Sequence, residues 1–237
     1  MTGVLVTDEL FLIRIFAYTV LPLVFAVAHL LIDPQAQTLS RRIEVFVVYL
    51  LAISVGANGI SGAFGHLFLS DLVAESVGWP TGSPFQLEMG FANLALGVLG
   101  FLAVGRRGGF RTATIIAVAI IGFGATTVHL IDIAATGNLS PGNTIQNVSN
   151  VTDPVLLIGL TWLAARRDDP DADSPAFERW QQRQRPIATL SAAGIGTGFG
   201  IGFAVGGVLP GTVLGAAVGL AIGVRISRRL PGRESAA

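Results

Sequence analysis

A chain of 237 residues with 51% hydrophobic and only 13% charged side chains has too few charges for a soluble globular domain, where about 25% is usual. Its formal net charge of zero argues against a nucleic-acid partner, which would require a basic face. The absence of cysteine excludes disulfides, iron–sulfur clusters and thiol catalysis.

A bilayer core of about 30 Å takes roughly 20 apolar residues of helix. The N-terminal stretch "MTGVLVTDEL" lacks the positive region of a cleaved signal peptide, so the first apolar run, about 10–32, reads as a retained helix. A second run covers 43–69, a third 86–105 and a fourth 112–135. Between the second and third, "GWPTGSPFQ" combines glycine and proline turn signals with an aromatic near each end. It reads either as a rigid loop folded over the bundle, with Phe85 as a cap, or as a plain interfacial hairpin with Trp79 at headgroup level.

The fifth run, 155–165, is too short to span. Extended back to Pro141, with Ser140 as N-cap, it reaches a spanning length. Asn143, Gln146, Asn147, Asn150 and Asp153 then share one helical face, and Pro154 predicts a kink. Asn147 and Asn150 also open glycosylation sequons, and a glycan would exclude a buried face; the helix is the preferred reading.

Residues 166–186 are acidic and then basic, and read as a cytoplasmic linker with an amphipathic piece around Trp180. The remainder, 187–237, holds two further runs, 187–209 and 212–224, broken at Pro210-Gly211, and a basic tail. Glycines at 194, 198, 202 and 206, and at 211, 215, 219 and 223, repeat every four residues. Small residues at this spacing let helices pack closely, so the segment is similar to glycine-zipper hairpins; the glycine faces either pack its two arms together or offer a surface for a second copy or another membrane protein. The fold predicted is all-α: a polytopic transmembrane bundle with a four- to five-helix core in 1–165, the linker, and the hairpin.

Arginines at 41–42, 106–111, 166–185 and 225–233 fall on one side of a seven-pass chain, and the intervening loops near 71–85 and 133–140 have none. Positive loops stay in the cytoplasm, so a cell-membrane protein with its N-terminus outside and its C-terminus inside is expected.

In that topology the outer half of the bundle collects costly groups. His66 lies near the outer end of the second helix, Glu88 at the outer start of the third, and His129 and Asp132 near the outer end of the fourth. Arg14 is in the outer half of the first helix, and Asp153 is at mid-depth in the fifth. Glycine-rich faces should turn these groups inward: Gly59, Gly62 and His66 share one stripe, Gly90, Asn93, Gly97 and Gly100 a second, and Gly122, Ala125, His129 and Asp132 a third. Glu88 lies about 140° from Asn93 around its helix. Ionisable groups within a membrane face a partner or water. Three readings follow: a paired network in which Arg14 neutralises Glu88 or Asp132; a polar pocket of Arg14, His66, Glu88, Asn93, His129, Asp132, Asn150 and Asp153 that binds or passes a small molecule, ion or proton; and a divalent-metal site of His66, His129, Glu88 and Asp132. No resident cofactor is implied. Asp71 and Glu75 read as solvated interfacial charges. His29 and Asp33, four apart at the opposite end of the first helix, read as an interfacial hydrogen-bonded pair.

"GHLF" at 65–68, "GWPTGSPFQLEMGFANL" from Gly78 and "GATTVHLID" at 124–132 together resemble an uncharacterised prokaryotic family of small integral membrane proteins. The plan is also loosely similar to DoxX-like four-helix proteins. The first resemblance implies membrane location; the second, a redox-associated role. No P-loop, dinucleotide fingerprint, nucleophile elbow or zincin motif occurs in a suitable context. Binding or transport through the polar pocket is therefore the leading expectation, with a metal-dependent redox component and a non-catalytic assembly protein as alternatives.

Overall fold

The computed structural model describes residues 8–36, 38–166, 169–172 and 174–230. The fold is all-α, about 85% helical, with no strand among the described residues. Seven helices are long and apolar enough to cross a membrane: α1 (Asp8–Ile32), α2 (Leu39–Phe68), α4 (Phe85–Gly105), α5 (Gly109–Thr136), α6 (Pro141–Ala165), α7 (Pro175–Val205) and α8 (Val208–Ser227). The short helix α3 (Ser70–Val77) follows α2 and ends at Gly78, whose φ of 77° suits glycine.

Helix α2 is the hub. Its middle, Leu50–Ala57, winds as a wide π-type segment in which all eight residues are buried. A second such segment, Phe16–Val20, lies in α1. Wide turns of this kind change which faces a helix presents above and below them, and apolar periodicity alone gives no sign of them. The predicted glycine stripes bring α2 against α4: a Cβ on Gly59 would stand 2.6 Å from the Gly97 nitrogen, and one on Gly100 would stand 2.7 Å from the Gly56 nitrogen. A Cβ on Gly122 of α5 would stand 2.5 Å from the Asn150 carbonyl oxygen, fixing α5 against α6. Helix α6 opens with the turn Pro141–Thr144 and runs on as Asn147–Ala165, so the preferred helical reading of this stretch holds.

The C-terminal third differs from expectation. Residues 175–186, expected within a linker, form the first turns of α7, whose Phe177, Trp180, Gln181 and Gln184 are buried. Deeper along α7, Ala188, Ser191, Ala192 and Ile195 are buried as well, and Ala188, Ala192 and Ile195 belong to the same apolar core as the hub segment of α2. The hairpin turns at Gly206, in the left-handed region at φ 77°, and Pro210 sits in the first turn of α8. The expected break at Pro210-Gly211 therefore lies several residues too late; proline suits a helix start, and glycine supplies the stop. The two glycine rows face each other. A Cβ on Gly194 would strike the Gly215 carbonyl, and one on Gly198 the Gly211 carbonyl. The glycine rows thus pack the two arms of the hairpin on each other within the chain.

One end of the bundle gathers the arginines. Arg41 pairs with Asp171 at 2.6 Å, Arg107 Nη1 donates to the Ala172 carbonyl at 2.9 Å, and Arg183 Nη2 donates to Gln35 Oε1 at 2.7 Å. Just inside this end, Arg111 grips Glu44 with two bonds of 2.7 and 2.9 Å, and Gln181 Nε2 also donates to Glu44. Three helices, α2, α5 and α7, are thereby locked at one buried carboxylate. Sequence reasoning counted Arg111 only as a loop charge.

Candidate functional site

At the opposite, arginine-poor end the helices enclose a partly open cavity of about 470 Å³. Phe11, Phe64, Val73, Ile121, Phe199 and Phe203 give it a largely apolar wall. The polar groups set into that wall come from five of the spans: Arg14 from α1, Ser61 and His66 from α2, Gln86 and Asn93 from α4, His129 from α5, and Gln146 and Asn150 from α6.

Both histidines are held by amide oxygens, which can only accept, so each Nδ1 carries the proton. His66 Nδ1 donates to Gln86 Oε1 at 2.7 Å, and His129 Nδ1 donates to Asn143 Oδ1 at 2.7 Å. Behind His129 stands Asp132, which accepts from Asn143 Nδ2 at 2.9 Å, Asn138 Nδ2 at 2.9 Å and Trp79 Nε1 at 3.1 Å. The Trp79 ring stacks on His129, with centroids 5.3 Å apart and planes 25° apart. Carboxylate, amide and indole together fix the imidazole while leaving its Nε2 unpaired among the described residues. Trp79 and Phe85 both line the cavity, their centroids 6.0 Å apart, and Asp71 Oδ1 accepts from the Gly82 N–H at 3.1 Å. The "GWPTGSPFQ" loop thus contributes its two aromatic side chains and Gln86 to the cavity wall.

Arg14 is the cavity's cation. Its Nη2 donates to Asn58 Oδ1 at 3.1 Å, and Gly62 leaves it room, since a Cβ there would lie 3.5 Å from the same nitrogen. No carboxylate of the described residues lies within ion-pairing distance of it. The expectation that Glu88 or Asp132 neutralises Arg14 is therefore overturned. Glu88 is exposed and outside the cavity, as its angular offset from Asn93 dictates; Gln86, two residues earlier, takes the inward position. Asp132 is a support behind His129. Asp153 is 5% exposed at mid-depth in α6 and accepts only from Thr19 Oγ1, at 3.4 Å; it does not line the cavity.

Of the eight expected residues, Arg14, His66, Asn93, His129 and Asn150 meet around one space, and Glu88, Asp132 and Asp153 do not. The four-ligand metal set of His66, His129, Glu88 and Asp132 is not assembled, and no group of three or more such side chains that could hold a metal ion occurs among the described residues. Asn150 lines the cavity, and Asn147 Nδ2 donates to the Asn143 carbonyl at 3.0 Å. Sequence reasoning missed Gln86 and Asn58, neutral amides that hydropathy and charge scans pass over, and it placed Asn143 on the polar face of its helix without giving it a part in the site.

At the arginine-rich end His29 and Asp33 approach to 3.6 Å, as expected, within a larger group. Trp180 Nε1 donates to Asp33 at 2.8 Å and Gln184 Nε2 at 3.2 Å, and His29 Nδ1 meets the Tyr49 hydroxyl at 3.2 Å. Burial opposes ionisation of Asp33, but the bonds from His29, Trp180 and the Gln35 N–H outweigh it and hold the carboxyl below its ordinary pKa.

These features define a multi-pass helical membrane protein whose arginine-poor end contains a partly open, mainly apolar cavity. A family model described as a family of unknown function, DUF6790, matches residues 13–170, more than half of the chain, and the protein belongs to that family. No curated protein and no solved structure matches it. The matched region stops before α7, the helix that completes the core and contributes Phe199 and Phe203 to the cavity.

Proposed function

We propose that the protein binds a small amphipathic molecule in this cavity and passes it between the membrane and the extracytoplasmic side. The reading rests on one observation: five spans set polar side chains around a single, largely apolar space of about 470 Å³. That volume falls within the range of small-molecule sites, which combine apolar walls with a few placed polar groups. The arginine-rich end, with the C-terminus, faces the cytoplasm by the positive-inside rule, and the cavity opens on the other side. The α7–α8 pair reads as an intramolecular glycine zipper that braces the cavity's rear wall.

The neutral fluorophore N-phenyl-1-naphthylamine tests the reading. Added to the protein in lipid nanodiscs, it should show saturable fluorescence beyond lipid partitioning. Gly200 lines the cavity, and a Cβ there meets nothing, so Gly200→Trp should fold and abolish the saturable component. Partitioning alone, identical in both proteins, would refute the reading.

A further inference from the structure

Resting on that reading, we infer that the ligand is a monoanionic amphiphile whose carboxylate head pairs with Arg14 and whose hydrocarbon body fills the apolar part of the cavity. A guanidinium within a membrane span requires a partner or water. Arg14 receives only one neutral acceptor from the protein, Asn58 Oδ1, and no carboxylate. Its Nε and Nη1 have no acceptor among the described residues. These nitrogens belong to a planar fork that matches a carboxylate with two parallel bonds.

The surroundings narrow the class. The carboxylates near this end lie elsewhere: Asp132 is committed to Trp79, Asn138 and Asn143, Asp71 accepts from the Gly82 N–H, and Asp8, Glu9, Glu75 and Glu88 are exposed. Asn93 Nδ2 donates to the Met89 carbonyl at 2.8 Å, and Asn93 turns its oxygen toward Gly62, beside Arg14. One unpaired cation in a low-dielectric space balances one negative charge, which disfavours phosphate dianions and dicarboxylates. The apolar lining, formed by Phe64, Ile121, Val128, Phe199 and Phe203, offers hydrogen-bonding ligands nothing and an alkyl chain close contact. The cation and this wall line the same space, so a single molecule carrying both characters satisfies both.

The experiment is displacement of N-phenyl-1-naphthylamine from the protein in nanodiscs of zwitterionic lipid, using a matched pair: a long-chain carboxylate and the primary alcohol of the same chain. The carboxylate should displace the fluorophore at a concentration at least about tenfold lower, the scale of a hydrogen-bonded charge pair. Arg14→Gln should erase the difference, and Arg14→Lys should retain part of it. Equal potency of acid and alcohol in the wild-type protein overturns the inference and leaves the cavity reading standing, because the fluorophore itself reports the cavity. A lysophospholipid phosphodiester that outcompetes the carboxylate also overturns it, in favour of a lipid headgroup. Should Arg14→Gln fail to fold, the matched pair on the wild-type protein still decides.

Discussion

Replacing Glu44 by glutamine removes one charge from a buried pair and leaves its shape nearly unchanged. Glu44 and Arg111 are 7% and 8% exposed at their side chains, and the carboxylate accepts two bonds from Arg111 and one from Gln181. The guanidinium makes further contacts with the Ala103 and Val104 carbonyls at 3.2 and 3.4 Å, which hold it in place and prevent its escape to water. In Glu44→Gln an amide N–H₂ faces a trapped cation. Breaking a buried pair on one side costs about 3–5 kcal/mol, mostly the penalty of the uncompensated charge. The double variant Glu44→Leu/Arg111→Met removes both charges and should recover most of that loss, since apolar replacement of a buried pair is often neutral. Reversible unfolding in mixed micelles, followed by far-ultraviolet circular dichroism, gives both numbers and the coupling between the sites. A loss below about 1 kcal/mol in Glu44→Gln, or a double variant as unstable as the worse single one, would refute the view that this carboxylate locks three helices.

Two other consequences concern packing and pH. Gly198→Leu places a side chain against the Gly211 carbonyl and the Gly215 Cα, both backbone that cannot yield, so it should cost about 1–3 kcal/mol or more in the same assay. Gly200→Leu, two residues on and on the opposite face of α7, meets open space and should stay within about 0.5 kcal/mol; equal effects would contradict the glycine-to-glycine packing. In acid, Asp33 and Asp171 act together at the arginine-rich end. The Arg41 guanidinium, with Thr38 and Ser174, holds the Asp171 carboxyl below its ordinary pKa, as His29 and Trp180 help to do for Asp33. A depressed carboxyl stabilises the fold above its unfolded pKa of about 4, and that contribution is lost as pH falls through the lowered value. Stability should therefore decline below about pH 4 in the wild-type protein and less steeply in Asp171→Asn; identical acid profiles would contradict the assignment.

The spans were legible in the sequence because hydropathy and length are properties of local runs, and the glycine stripes correctly named the faces that join α2 to α4. The start of α7 was not legible. Its first three turns, containing Glu178, Arg179, Arg183 and Arg185, carry the charges of a linker, and only contacts with Asp33 and Glu44 from distant helices bury Trp180 and Gln181. In the cavity, charge was the guide, and it both succeeded and misled. It found Arg14, His66 and His129 but placed Glu88 beside them, although helical geometry had already turned that side chain away. Neutral amides such as Gln86 and Asn143 orient both histidines, and their partners lie 20 and 14 residues away, a relation that local periodicity does not encode. The π-type segments escaped for a similar reason: they leave no mark on composition.

The absence of native cysteine allows the account to be tested with one introduced thiol. Ser61→Cys lies in the cavity wall, and Ile116→Cys, on a surface 53% exposed in the isolated chain, serves as a lipid-facing control. A membrane-impermeant maleimide added to sealed vesicles should label Ser61→Cys from the side of loop 78–84, slowly when a long-chain carboxylate is present, and should leave Ile116→Cys unlabelled. Equal inertness of the two thiols, or labelling of Ser61→Cys only from the arginine-rich side, would contradict a ligand cavity at this end of the bundle.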